Sequence, residues 1–218
     1  MNSPLIVHER LATVPVSKFL PELRFEFTDL PDQLFEWALL RTARSLAKDG
    51  GIIRRRVIIQ TQCGVERYAL RSPDGLEVNT ILGIKGMSCC DCLHTVPRSF
   101  DPPDGCHSCA REEAWYDDQE QELHLISHCT PGIYFVSMSV VPADDACELP
   151  IEFYDDYIDM LLNGTRAKIL RLNNKPWTNF QLADAYMRGV EENLREAIIE
   201  VNTHKMRGAV KINFGRAL

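Results

Sequence analysis

Residues Leu149 to His204 read LPIEFYDDYIDMLLNGTRAKILRLNNKPWTNFQLADAYMRGVEENLREAIIEVNTH. Ile151, Tyr154, Ile158, Leu161, Leu162, Thr165, Ile169 and Leu172 fall three or four apart, which predicts one helix with a single apolar stripe. Ala183, Tyr186, Met187, Val190, Leu194, Ala197, Ile198 and Val201 repeat the pattern on a second helix. Between them lies NNKPW. Pro176 cannot continue a helix there, and Thr178 with Gln181 has the spacing of a capping box. The expectation is a helical hairpin with Trp177 at its corner. Gly164 stands inside the first helix, where glycine costs about 1 kcal/mol relative to alanine. With Ala167 it leaves a shallow spot that another backbone can approach closely.

Working outward, LPDQLFEWALLRTARSLAKDGG (30–51) is a third helix with its punctuation in place. Pro31 suits the first turn, Asp32 and Glu36 the positive end of the dipole, and Lys48 the negative end, with Gly50 and Gly51 as the stop. Trp37 and Arg41 share a side of mixed character, while Leu39, Leu40, Ala43, Leu46 and Ala47 widen the apolar face. Between this helix and the hairpin the period changes to two. IIRRRVIIQTQ, ERYALRS, LEVNTILGIKG, AWYDD, QELHLIS and GIYFVSMSVVPA are short β-branched or aromatic runs. They are separated by turn residues at Ser72 to Gly75, Asp117 to Gln121 and Thr130 to Gly132. The expected fold class is α+β: a helical bundle with an inserted antiparallel β sandwich or open barrel, and extended arms at both ends. The organisation expected is an arm over residues 1–30, a helical domain over 31–50 and 149–207, a β domain over 51–148 and a C-terminal arm over 208–218. The proline-bearing N-terminal stretch shows no sustained period, although LRFEF alternates briefly. The C-terminal AVKINFGRAL alternates Val210, Ile212 and Phe214, a strand that either closes the β unit or adds to a neighbour's sheet.

The chain of 218 residues carries 31 carboxylates against 24 Lys and Arg, a net charge of −7. That balance opposes a surface that embraces nucleic acid over its whole extent. Arg54 to Arg56 form the one basic run, read as the start of a strand with solvated side chains, since no aromatic residues alternate with it. The N-terminus has no signal-peptide pattern and no apolar run is long enough to span a bilayer, so the expected place of synthesis is a cytoplasm, where thiols stay reduced or bind metal.

Five of the eight cysteines lie in SCCDCLHTVPRSFDPPDGCHSCA, within a loop at 87–110. Cys89 with Cys92 and Cys106 with Cys109 form two C-x-x-C pairs that can present four thiolates tetrahedrally to one structural zinc. Cys90, His94 and His107 are competing ligands, and reduced surface thiols or disulfides formed after release are the other readings. Cys63, Cys129 and Cys147 stand alone, as small core residues usually do. Asp155, Asp156 and Asp159 share one side of a helix and are read as its wet face. His124 and His128 are spaced as helical ligands are, but in a run that reads as a strand. No phosphate-cradling glycine loop, nucleophile elbow or dinucleotide fingerprint is present, so no enzyme is expected.

The order of these parts carries a resemblance. A helix EWALLRTARSLAKDGG, a β region containing YALRSPDGLEVNTILGIKGM, then LP at Leu149 and Pro150, NGTRAKIL, and KPW at Lys175 to Trp177 before a long helix resemble the head-to-tail adaptor proteins of tailed bacteriophages. These are also called connector, neck or collar proteins, and the likeness is greatest to those of short-tailed phages. It covers roughly Pro31 to Gly208. Thr165 stands where that family usually has alanine, and the cysteine loop is not one of its features. The resemblance implies a virion protein that forms a homo-oligomeric ring, commonly of twelve copies, between the portal and a tail tube or nozzle protein. The ring continues the channel for double-stranded DNA without sequence-specific binding. It further implies that Gly164, Ala167 and Trp177 of the hairpin face neighbours, with Val210, Ile212 and Phe214 in a docking arm. A zinc-ribbon nucleic-acid-binding or regulatory module and a tail-tube or tail-completion protein are the competing readings. The acidic REEAWYDDQEQE beside the ribbon opposes the first.

Overall fold

The structure, a computed structural model, describes residues 5–8, 12–62, 65–70, 75–87, 93–95, 113–126, 132–173 and 175–203. Its mixed α+β architecture is built on one long helix, α2, laid against an antiparallel sheet. The first elements are β1 (Leu5–His8), β2 (Thr13–Pro15), a 3-10 turn (Val16–Phe19) and α1 (Leu20–Arg24), and α2 spans Asp32–Gly50. Pro31 caps α2 in extended conformation, and Gly51, at φ 56, takes the left-handed turn that lets its N–H bond Ala47 at 3.0 Å. Phe35, Ala38, Leu39, Thr42, Ala43, Leu46 and Ala47 are buried. So wide a face needs several neighbours, and α2 touches sheet and helices alike.

The strands follow as β3 (Arg54–Gln60), β4 (Arg67–Ala69), β5 (Leu76–Met87), β6 (Leu93–Thr95), β7 (Glu113–Asp117), β8 (Glu122–Ile126), β9 (Ile133–Pro142) and β10 (Glu148–Pro150). A five-stranded sheet runs β1-β3-β9-β5-β6, a three-stranded sheet β4-β8-β7, and β10 pairs with β2. All six β runs expected from the sequence form strands. Val57 opposite Val136 and Ile59 opposite Tyr134 point to the core. The turn at Asp117 is closed by its Oδ1, which accepts from the N–H of Gln119 (2.9 Å) and Glu120 (3.2 Å). Where β5 slips register after Val78, Gln121 substitutes for a missing strand partner. Its Oε1 accepts from the Val78 N–H at 2.8 Å, which ties the smaller sheet to the larger.

The N-terminal stretch expected as an arm departs from that expectation. Val14, Val16, Phe19, Leu20, Leu23, Phe27 and Leu30 are all buried. Its prolines punctuate very short elements: Pro15 ends β2, Pro21 sits in the first turn of α1, and Pro31 caps α2. Elements of five residues or fewer show no period, and LRFEF is a helix end and turn rather than a strand.

The hairpin also differs in detail. The first helix is broken into α3 (Glu152–Asp155) and α4 (Ile158–Leu170), with Tyr157 at φ −125 and ψ 19 between them. Adjacent aspartates compete with helical backbone bonds, which favours a break. The second helix, α5 (Phe180–Thr203), is capped by Asn179, whose Oδ1 accepts from the Leu182 N–H at 3.0 Å. The cap moves one residue from Thr178 because the Thr178 hydroxyl already closes the corner, donating to Leu172 and accepting from the Lys175 N–H. Helices α4 and α5 pack along their lengths, and α4 crosses α2. Among the described residues, no helix is long and apolar enough to cross a membrane.

Candidate functional site

Gly164 and Ala167 lie in the chain's own interior. A Cβ at Gly164 would sit 2.5 Å from Thr42 Cγ2 of α2, so the glycine permits the α2/α4 crossing. Thr42 and the buried Thr165 each donate a hydroxyl back to their own helix, to Ala38 at 2.7 Å and Leu161 at 2.8 Å. Their methyl groups are thereby turned to the packing. The close approach expected at Gly164 exists, but its partner is intramolecular, and Gly164 and Ala167 have no surface left for a neighbour. Trp177 is half-buried at the corner, with its indole N–H buried and without a hydrogen-bond partner among the described residues.

Cys89, Cys92, Cys106 and Cys109 lie outside the described residues, as do Cys63, Cys129, His128, Val210, Ile212 and Phe214. Cys147 is an exposed free thiol rather than a core residue, because it precedes β10 on the surface turn after β9. Among the described residues no group of three or more His, Cys, Asp or Glu could hold a metal. His124 is buried and stacked on Trp115 across β8 and β7, with ring centroids 3.8 Å apart at 18°.

Arg54 and Arg55 of the arginine run are engaged by the fold rather than left to solvent. Period two puts Arg55 on the same inward face as Val57 and Ile59. At 5% exposure it makes a bidentate pair with Glu152 of α3, at 2.7 and 3.2 Å. Arg54 donates to the Val201 carbonyl at 3.0 Å and to Asn202, a cation placed at the negative end of α5.

Other cations of the described residues have no carboxylate partner there. On the outer side of α2, Trp37 is 44% exposed and the Arg41 guanidinium lies 5.9 Å from its ring centre. Lys168 of α4, half-buried, is held below the ordinary lysine pKa first by burial and then by the charges of Arg41 and Arg171, with Asp49 opposing weakly. Arg171 is paired with Asp184 at 2.7 Å. Neither Arg41 nor Lys168 forms an ion pair among the described residues. The spacing of Trp37 and Arg41 at i, i+4 was legible, but the approach of the Arg41 charge to Lys168 depends on the crossing of α2 and α4. At the other end of α4 stand Asp155, Asp156 and Asp159, all exposed and without a counter-ion among the described residues. The described surface thus carries positive charge where α2 crosses α4 and negative charge where α3 meets α4.

No protein-family model matches this chain, and no curated protein matches it.

Proposed function

We propose that this chain is a structural subunit of a phage virion, assembling as a ring that joins the portal at the capsid vertex to the tail and continues the DNA channel. In this reading α2, α4 and α5 are the bundle, the two larger sheets are the inserted β sandwich or open barrel, and the chain performs no catalysis. The observation that carries the proposal is the incomplete cover of α5. That helix is 24 residues long, about 36 Å, yet only Ala183, Val190 and Ala197 are fully buried. Tyr186, Met187, Leu194 and Ile198 are half-buried, while Phe180 (53%), Leu182 (42%) and Ile199 (62%) are exposed. A long amphipathic helix with so much apolar surface showing suits packing against further copies. The order of parts supports the same reading, and the net charge of −7 suits a channel through which DNA slides without being gripped.

The test is the mass of the purified chain in solution, alone and with portal complexes taken from the virion, by light scattering under reducing conditions. The expected result is a monomer that joins portals at about one copy per portal subunit. A monomer that ignores portals but binds duplex DNA in low salt would overturn the proposal.

A further inference from the structure

We infer that the Trp37, Arg41 and Lys168 face of one copy docks onto Asp155, Asp156 and Asp159 of the next, as the contact that repeats around the ring. This deepens the connector reading and rests on it. Among the described residues neither Arg41 nor Lys168 forms an ion pair, on a chain of net charge −7, so the abundant source of matching charge is a second copy. Lys168 is half-buried as well as crowded by Arg41 and Arg171, and an arriving carboxylate would relieve both penalties. Trp37 beside Arg41 adds the two residue types that most often anchor protein contacts.

The acidic side is selective. Glu191 and Glu192 of α5 each lie three or four residues from both Arg188 and Arg195, so that part of α5 is locally compensated. Asp155, Asp156 and Asp159 have no such neighbours, and the nearby Lys18 ammonium sits over the Tyr154 ring at 4.1 Å instead of on a carboxylate. The two poles also occupy opposite ends of α4, Asp159 in its first turn and Lys168 in its last. They cannot neutralise each other within one chain. Two non-overlapping, complementary patches on one subunit make a heterologous contact, the kind that closes into a ring when the rotation allows.

The experiment uses the full chain with virion portal complexes in low salt and two variants, Arg41→Glu/Lys168→Glu and Asp155→Lys/Asp159→Lys. All substituted side chains lie at the surface or half-buried, and unchanged circular dichroism would show that both variants fold. Each variant alone should assemble at least about tenfold less than the wild type, because like charges then face each other. An equimolar mixture should assemble, since every contact in an alternating ring again pairs opposite charges. Wild-type-like assembly of either variant alone, or failure of the mixture, overturns the contact while leaving the connector reading intact. A wild type that never joins portals overturns the connector reading, and the contact with it. Loss of duplex DNA binding by the first variant with assembly unchanged would assign the cations to phosphate and overturn the contact.

Discussion

Two basic regions of this molecule use charge in opposite ways. Arg54 to Arg56 are contiguous in sequence, yet Arg55 is buried against Glu152 and Arg54 is bound to the end of α5, so their charge is spent inside the fold. Arg41 and Lys168 are far apart in sequence and sit on different, crossing helices, where each feels the other's charge and neither has an ion-pair partner among the described residues. A run of like charges is therefore a poor guide to a binding surface. What decides is whether the periodicity of the element turns each side chain inward or outward, and whether a carboxylate waits where it lands.

If the first region is structural, breaking it should cost stability. Glu152→Ala leaves the Arg55 guanidinium buried and unpaired, and should destabilise the chain by about 3 kcal/mol in denaturant unfolding. Replacing both partners, Arg55→Met with Glu152→Leu, should restore most of that loss, because two well-packed apolar groups do not carry the desolvation cost of the ions. A large loss in the double variant as well would mean that the pair specifies the α3 position rather than merely tolerating burial.

The crossing beneath the second region gives the next largest effect. Gly164→Ala gains about 1 kcal/mol of helix propensity, but its Cβ would lie 2.5 Å from Thr42 Cγ2. Overpacking of this kind costs about 1–3 kcal/mol, so a net loss is expected. Thr42→Ser in the same chain removes the offending methyl, keeps a hydroxyl for Ala38, and should recover stability. A double variant no better than Gly164→Ala would show that the helices are held apart by something other than that methyl. Asn179→Ala should cost about 1 kcal/mol as a lost cap, while Gln181→Ala should change stability by less than about 0.5 kcal/mol. The capping box expected from the sequence requires the reverse.

Helix α2, the hairpin and all six β runs were legible because each is long enough, or alternates regularly enough, to declare its period. The N-terminal elements were not, since β2 with three residues and α1 with five are shorter than the window in which a period can be seen. The alternation of Arg55 with Val57 and Ile59 marks it as inward-facing, although three adjacent arginines resemble a solvated run. At Gly164 the sequence marks a close approach without saying which chain makes it, and the partner is Thr42 of the same chain. The Trp37, Arg41 and Lys168 surface was half visible. One helix brings Trp37 and Arg41 together by spacing alone, and only the crossing adds Lys168.

The smallest predicted effect separates the two regions most sharply, because it has the opposite sign. Lys168 is held below the ordinary lysine pKa by burial, then by Arg41 and Arg171. Below its folded-state pKa the lysine is charged in both states and the penalty is fully present. As pH rises through that value toward the ordinary one, the unfolded chain holds more protons and the penalty fades. Lys168→Met keeps the aliphatic packing of the stem and removes the charge. At neutral pH it should raise the thermal midpoint of the isolated chain by about 1–2 °C, with the difference from wild type shrinking as pH climbs toward the lysine range. The same variant should join portals less well than the wild type. A substitution that stabilises the monomer and weakens the assembly marks a charge kept for a partner, whereas Glu152→Ala, which harms the monomer, marks one kept for the fold. If Lys168→Met instead lowers the midpoint, the lysine belongs with Arg55 among the structural charges, and the contrast between the two regions disappears.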